Sequence, residues 1–90
     1  MAEDDAFVRK FAELSATFRA QLPQRLVELE AFADAGDIDA LRDVAHRLAG
    51  QGGTFGAPEV TAAAFGVEAA APTEVRRALD ALRAAAGSVG

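Results

Sequence analysis

The sequence predicts an all-α protein, folded as an antiparallel up-down four-helix bundle. Apolar side chains recur at steps of three and four residues through most of the chain, which is the period of an amphipathic helix. Alanine and leucine are plentiful while tryptophan, tyrosine and cysteine are absent, a composition that suits helices better than strands. The predicted loops are short, so successive helices should run antiparallel. Ninety residues are enough for one small domain, and residues 1–90 are therefore treated as a single domain.

The first helical segment is predicted over roughly residues 5 to 35. Its apolar stripe consists of Phe7, Phe11, Leu14, Phe18, Leu22, Leu26, Leu29 and Phe32. The stripe keeps its phase across Pro23, although an internal proline removes one backbone hydrogen bond and clashes with the preceding turn. The segment is therefore expected to be either one long helix kinked near Pro23 or two helices split there and nearly in line. Gly36 fits a helix stop and Asp37 the next N-cap, which together predict a tight helical hairpin.

The second helix is predicted to begin near Ile38 and the third at Pro58, a residue favoured in the first helical position. The apolar side of the second helix comprises Leu41, Val44, Ala45, Leu48, Gly52 and Phe55. Gly56 is a suitable stop between the two helices. The third helix should run to about Ala70, because it must end before Pro72.

A last helix is predicted after Thr73, whose hydroxyl can cap it, and Gly87 should end it. Its buried stripe consists of Val75, Leu79 and Leu82. The apolar stripes of all the helices are expected to be satisfied inside one bundle, which favours a monomer.

Composition and charge exclude several classes of function. The formal net charge is −5 and there is no basic cluster, so a nucleic acid is not an expected partner. No apolar run approaches the roughly 20 residues of a membrane span, and the acidic start "MAEDDAF" does not resemble a signal peptide. A cytoplasmic protein is the default expectation. The absence of cysteine and the single histidine make a metal site improbable, and no cofactor motif is present.

The single histidine, His46, is followed at once by a run of glycines. On a helical wheel with Leu41 at zero, His46 lies at about 140°, well off the apolar side. Because a glycine inside a helix costs about 1 kcal/mol relative to alanine, one possibility is that the helix ends near Leu48 with Gly50 as its cap. The other is that the helix continues to Phe55. In that case Gly52 would let a neighbouring helix approach, and Gly50 and Gly53 would clear space beside His46.

The segment "AHRLAGQGGTFGA" resembles the signature of histidine-containing phosphotransfer domains. That signature is a histidine, an aliphatic residue two positions on, a glycine four on, small residues and a closing Gly-Ala. The positions that match it are His46, Leu48, Gly50, Gly53, Gly56 and Ala57. "GGTFG" also resembles the phosphoacceptor domain of chemotaxis histidine kinases, and "LVELEAFADAGDIDALRDVAHRL" resembles the hairpin that precedes the histidine in the family. The likeness spans roughly residues 7 to 70.

The resemblance implies a four-helix bundle with an exposed histidine near the middle of one helix. His46 would accept a phosphoryl group from an aspartate of a response-regulator receiver domain and pass it to another receiver. The chain would then be a phosphoryl carrier in two-component signalling rather than an enzyme, and a histidine kinase is a further possible partner. A receiver of this kind brings its own metal ion and lysine.

The resemblance also implies roles for residues around His46. Many members carry a lysine three residues after the histidine that neutralises phosphoryl charge, and this chain has Ala49 at that position. The resemblance therefore places Ala49, together with Gly50 and Gly53, on the surface that meets the phosphoryl group or the partner. Arg42 or Arg47 could substitute for the lysine in binding the phosphoryl group. Chemotaxis kinases carry a glutamate 22 residues after the histidine that orients the imidazole, and this chain has Glu68 at that position.

Alternatives remain at three points. Asp43 could orient the imidazole instead of Glu68, and Glu68 could be an ordinary solvated side chain. The bundle could be an adaptor that binds receiver or kinase domains without chemistry, a possibility that the alanine at position 49 leaves open. The chain could also be the phosphoacceptor domain of a larger histidine kinase, although its initial methionine and its "AAAGSVG" ending favour a free-standing protein.

Overall fold

A computed structural model describes the backbone of residues 2–89 and the side chains of residues 5–88, and it confirms the all-α prediction. Over those residues the chain forms α1 (Ala2–Ala35), α2 (Ile38–Thr54), α3 (Pro58–Ala69) and α4 (Val75–Val89), with no strand. A 3₁₀ turn at Pro72–Glu74 leads into α4. Thr73, which the sequence predicts as a cap, lies inside that turn.

The first helix is not split at Pro23, because the residues on both sides of the proline belong to α1. Pro23 lies on an exposed face of that helix. A carbonyl group that loses its donor on such a face can bind water, which limits the cost of an internal proline. Of the two predicted possibilities, the structure therefore has one long helix.

Two glycines end helices in the left-handed conformation that glycine adopts without strain. Gly36 has φ 71° and Gly56 has φ 73°. After each helix a backbone N–H reaches back five residues, from Asp37 to the Phe32 carbonyl and from Ala57 to the Gly52 carbonyl. These contacts form Schellman motifs that satisfy the terminal carbonyls. The Asp37 side chain then accepts a hydrogen bond from the Ala40 N–H, as predicted for an N-cap.

The core lies between the four helices and is built from aliphatic side chains. Its largest fully buried members are Leu29, Leu41, Leu48, Leu79, Leu82, Val60 and Val67. Val75 is also buried, so the predicted stripe of α4 is confirmed in full. In the predicted stripe of α2 the residues before Phe55 are buried or half-buried, and Phe55 packs against the core cluster.

The apolar stripe of α1 is buried only in part, contrary to the expectation that every stripe is satisfied internally. Phe18, Leu22 and Leu29 are buried, but Phe7 and Leu14 are 71% and 43% exposed. The physical reason is length. α1 has 34 residues against 17 in α2 and 15 in α4, so its first part extends past the ends of its neighbours. The molecule accordingly measures 52 × 19 × 18 Å.

The α2 helix runs through the glycines to Thr54, and α3 packs closely against it. A Cβ at Gly52 would lie 2.5 Å from the Thr61 hydroxyl oxygen and 3.2 Å from the Ala57 carbonyl oxygen. Gly52 therefore permits the close approach of α3, as the sequence predicts for a continuous helix. Packing across this contact outweighs the low helix propensity of glycine.

Gly52→Ala should destabilise the fold while Gly50→Ala should stabilise it. The added methyl group at position 52 has no space unless Thr61 moves, and overpacking of this kind costs about 1–3 kcal/mol. The methyl group at position 50 meets nothing within 4 Å, so helix propensity should contribute up to about 1 kcal/mol in favour of the variant. Urea denaturation followed by circular dichroism measures both changes. Equal effects at the two positions would contradict the packing role of Gly52.

Candidate functional site

His46 lies near the middle of α2 and points away from the core, with 67% of its side chain exposed. Its Nδ1 atom is 2.7 Å from Oε2 of Glu68 in α3. An ionised carboxylate can only accept hydrogen bonds, so the contact is made with the proton on Nδ1. In a neutral ring Nε2 then keeps its lone pair and can act as a nucleophile.

Two hydrogen bonds between α2 and α3 lie on either side of the His46–Glu68 contact. On one side an Arg42 guanidinium nitrogen donates to the Ala70 carbonyl at 3.2 Å. On the other side the Thr61 hydroxyl donates to the Ala49 carbonyl at 2.9 Å. The two bonds hold the helices in register above and below the imidazole, so they fix which residue of α3 faces it.

Thr61 belongs to this site although the sequence pattern does not predict it there. The sequence contains one indication of its place: Thr61 precedes Glu68 by seven residues and therefore lies on the same side of α3, two turns earlier. A threonine hydroxyl can also bond a carbonyl of its own helix, so the sequence cannot show that it bonds to α2.

The two candidate arginines are both engaged with other groups of the protein. Arg47 pairs with Asp43 one turn earlier on α2. Arg42 is half-buried and reaches across to the end of α3. Asp43 therefore has an arginine as its partner, and the carboxylate that contacts the imidazole is that of Glu68.

Ala49 does not lie on the exposed surface around His46, contrary to its place among the predicted phosphoryl-binding or partner-binding residues. It is 1% exposed and belongs to the core cluster. α3 covers this side of α2, and the Thr61 hydroxyl binds the Ala49 carbonyl. The buried face of α2 is therefore wider than its apolar stripe indicated, and a small residue fits there.

Gly50 and Gly53 lie on the exposed side of α2, one and two turns after His46. A Cβ at Gly50 would meet nothing within 4 Å, and one at Gly53 would meet only the Thr61 hydroxyl, at an ordinary 3.8 Å. Internal packing therefore gives no reason for glycine at either position. Each glycine nevertheless costs the helix about 1 kcal/mol relative to alanine. The result is a bare surface beside the imidazole.

Among the side chains of residues 5–88, no group of three or more histidine, cysteine, aspartate or glutamate residues is placed to hold a metal ion. None of the described helices is long and apolar enough to cross a membrane.

A protein-family model described as "Hpt domain" matches residues 13–89 of the chain. The matched region contains the whole site, from Arg42 to Ala70. No curated protein and no solved structure shows significant similarity to the chain.

Glu68→Ala should abolish the preference of the His46 ring for carrying its proton on Nδ1. The carboxylate holds that proton only through the 2.7 Å contact, so its removal should let the proton distribute over both ring nitrogens. Nitrogen-15 NMR of the ring above the titration range measures the two tautomers. Glu59→Ala, which removes an exposed acid from the first turn of α3, is the matched control and should leave the spectrum unchanged. Identical spectra for Glu68→Ala and wild type would contradict the contact.

Proposed function

Because the chain belongs to the Hpt domain family, we propose that it is a phosphorelay intermediate that carries a phosphoryl group on His46. Histidine phosphotransfer in a phosphorelay, by a phosphocarrier rather than an enzyme, follows from the family itself, whose members interact with receiver domains and kinases. The finer proposal is that His46 accepts the group from a receiver aspartate and passes it to another receiver. A cytoplasmic location and a single domain over residues 1–90 are part of the proposal.

The observation that carries the proposal is the contact between the exposed His46 ring and Glu68. In the transfer, Nε2 would attack the phosphorus of an aspartyl phosphate, so that an N–P bond forms as the P–O bond to the aspartate breaks. The ring gains positive charge in this step, and a carboxylate that accepts the Nδ1–H stabilises the charge and keeps the tautomer fixed. The aspartate leaves as a free carboxylate, and the reverse sequence phosphorylates the next receiver.

Phosphoryl transfer depends mainly on in-line placement and on compensation of negative charge. The family's usual lysine position is Ala49, which is buried here, so that position supplies no charge. We assign a supporting role to Arg42 and Arg47, whose guanidinium groups retain donors beyond the hydrogen bonds they make. The rest of the charge compensation must come from the receiver, which fits a protein that provides only a nucleophile and a docking surface.

Gly50 and Gly53 would allow that receiver to approach. Reaction requires the two atoms to come within about 3 Å of each other, and bulky side chains one and two turns from His46 would hold a partner away. The absence of an internal packing reason for either glycine supports this role.

His46→Gln should abolish phosphorylation of the chain by receiver domains of the same organism. The receivers are phosphorylated with a small-molecule donor, mixed with the chain, and the label on the chain is followed over time. A label that is labile in acid, stable in base and dependent on His46 is expected. No label from any receiver, with the helical spectrum of the chain intact, would contradict the carrier function and favour an adaptor that only binds.

Gly53→Leu should slow transfer from a competent receiver by on the order of 10- to 100-fold, because it displaces the partner from its reactive position. The fold should be retained, since a Cβ at position 53 makes only an ordinary contact. Gly66→Leu is the matched control: Gly66 is also exposed, helical and in open space, but it lies about 160° around α3 from Glu68. Equal transfer rates for the two variants would show that the glycine surface has no part in docking.

A further inference from the structure

The exposed side of α3 carries one large apolar side chain, Phe65, which is 48% exposed. Phe65 lies between Thr61 and Glu68 in the sequence and is turned only about 40° from Thr61 around the helix, toward solvent. Both flanking residues contact α2, Thr61 at the Ala49 carbonyl and Glu68 at His46. Phe65 is therefore level with the part of α2 between these two contacts, on the side where the imidazole is exposed.

The exposed residues around Phe65 are small. Gly50 and Gly53 are the exposed residues of α2 on this side, and Ala62 and Ala69 are exposed on α3, about 60° and 40° around the helix from Phe65. The phenyl ring therefore projects from a surface that is otherwise shallow. Single exposed apolar residues are common on soluble proteins, so the exposure of Phe65 matters here because of its place beside the imidazole.

The reaction at His46 determines what must cover Phe65. Phe65 is one turn from Glu68 on a helix packed against α2, which places it within about 10 Å of the imidazole. A standard interface covers about 800 Å² on each partner, which corresponds to a patch with a radius of about 16 Å. A receiver that brings an aspartyl phosphate to within about 3 Å of Nε2 therefore also covers Phe65.

A ring that projects inside this contact area needs a recess in the partner. Gly50 and Gly53 leave space beside His46, whereas Phe65 fills the space above its own part of the surface. A receiver without a recess for the ring would be held away from the reactive position. Burial of an aromatic ring in an apolar recess is favourable, and aromatic side chains are enriched at protein interfaces.

We propose that Phe65 is the apolar anchor through which a receiver domain docks on this chain, in an apolar recess about 10 Å from the phosphorylated aspartate of the receiver. This inference rests on the proposed function, because the receiver is the partner that a phosphoryl carrier requires. Phe65 binds the partner and fixes its position over His46, and it takes no part in making or breaking the N–P bond.

The affinity of the chain for an unphosphorylated receiver domain of the same organism tests the proposal by titration calorimetry. Phe65→Ala should raise the dissociation constant by at least about tenfold, because the exposed half of the ring is no longer available for burial. Phe65→Leu keeps an apolar side chain and should recover part of the affinity, while Phe65→Glu should weaken binding more than Phe65→Ala does.

Val27→Ala is the control for loss of exposed apolar surface. Val27 is 58% exposed on α1, which packs against α2 and α4 and lies across the bundle from α3. This variant should bind the receiver as the wild type does. An equal loss of affinity in Val27→Ala and Phe65→Ala would overturn the assignment of Phe65 as the anchor.

Nitrogen-15 NMR of the His46 ring separates docking from a structural role of Phe65. Phe65→Ala should leave the preference for a proton on Nδ1 as it is in the wild type, because the variant keeps Glu68 and alanine favours the helix. A changed tautomer in Phe65→Ala would show that Phe65 acts by positioning Glu68, and it would overturn the docking role.

Phosphoryl transfer from the same receivers keeps this proposal distinct from the carrier function. Phe65→Ala should raise the receiver concentration at half-maximal rate by the same factor as the dissociation constant. A wild-type chain that binds receivers but accepts no phosphoryl group would contradict the carrier function, and the affinities would still decide the role of Phe65. Equal affinities of the wild type and Phe65→Ala, or a wild-type chain that binds no receiver, would overturn the docking proposal.

Discussion

The close approach of α2 and α3 at Gly52 is the contact on which the functional site depends. The backbone of α2 at Gly52 contacts the side chain of Thr61 in α3, and there is no room between them for a Cβ. Protein interiors are close-packed, so a shift of either helix along this seam would open a void or create a clash. The register set at Gly52 is the register that brings Glu68 to His46. The position of the carboxylate is thus a consequence of packing two turns away.

The glycines of this chain act in three different physical ways. Gly36 and Gly56 adopt the positive φ that ends a helix. Gly52 is needed for its lack of volume inside the bundle, whereas Gly50 and Gly53 leave open space on its surface. A sequence pattern alone does not separate these uses, because the residue type is the same at all five positions. The surroundings of each Cα in the folded chain decide which of the three roles a glycine has.

The apolar stripe of α1 shows the same ambiguity on a larger scale. Its steps of three and four residues continue from Phe7 to Phe32, yet the side chains are buried or half-buried only after residue 14, where α2 and α4 lie beside α1. Periodicity shows that one side of a helix is apolar, but it does not show whether another helix lies against that side. The end of the bundle falls where the shorter helices end, so one stripe contributes both a core and an exposed patch.

The four helical segments, the glycine turns at Gly36 and Gly56 and the outward position of His46 were predictable from the sequence, because they follow from local rules: an apolar period of 3.6, glycine as a helix stop, and proline at the start of α3. The continuity of α1 across Pro23 and of α2 through its glycines stayed open until the packing was known. Glu68 was reached through a family resemblance, and the structure adds its 2.7 Å contact with the imidazole. The burial of Ala49, the bond from Thr61 to its carbonyl and the exposed start of α1 could not be predicted in this way. Each of these features depends on which helices are neighbours and over what length they are in contact. Packing between residues distant in the sequence determines both.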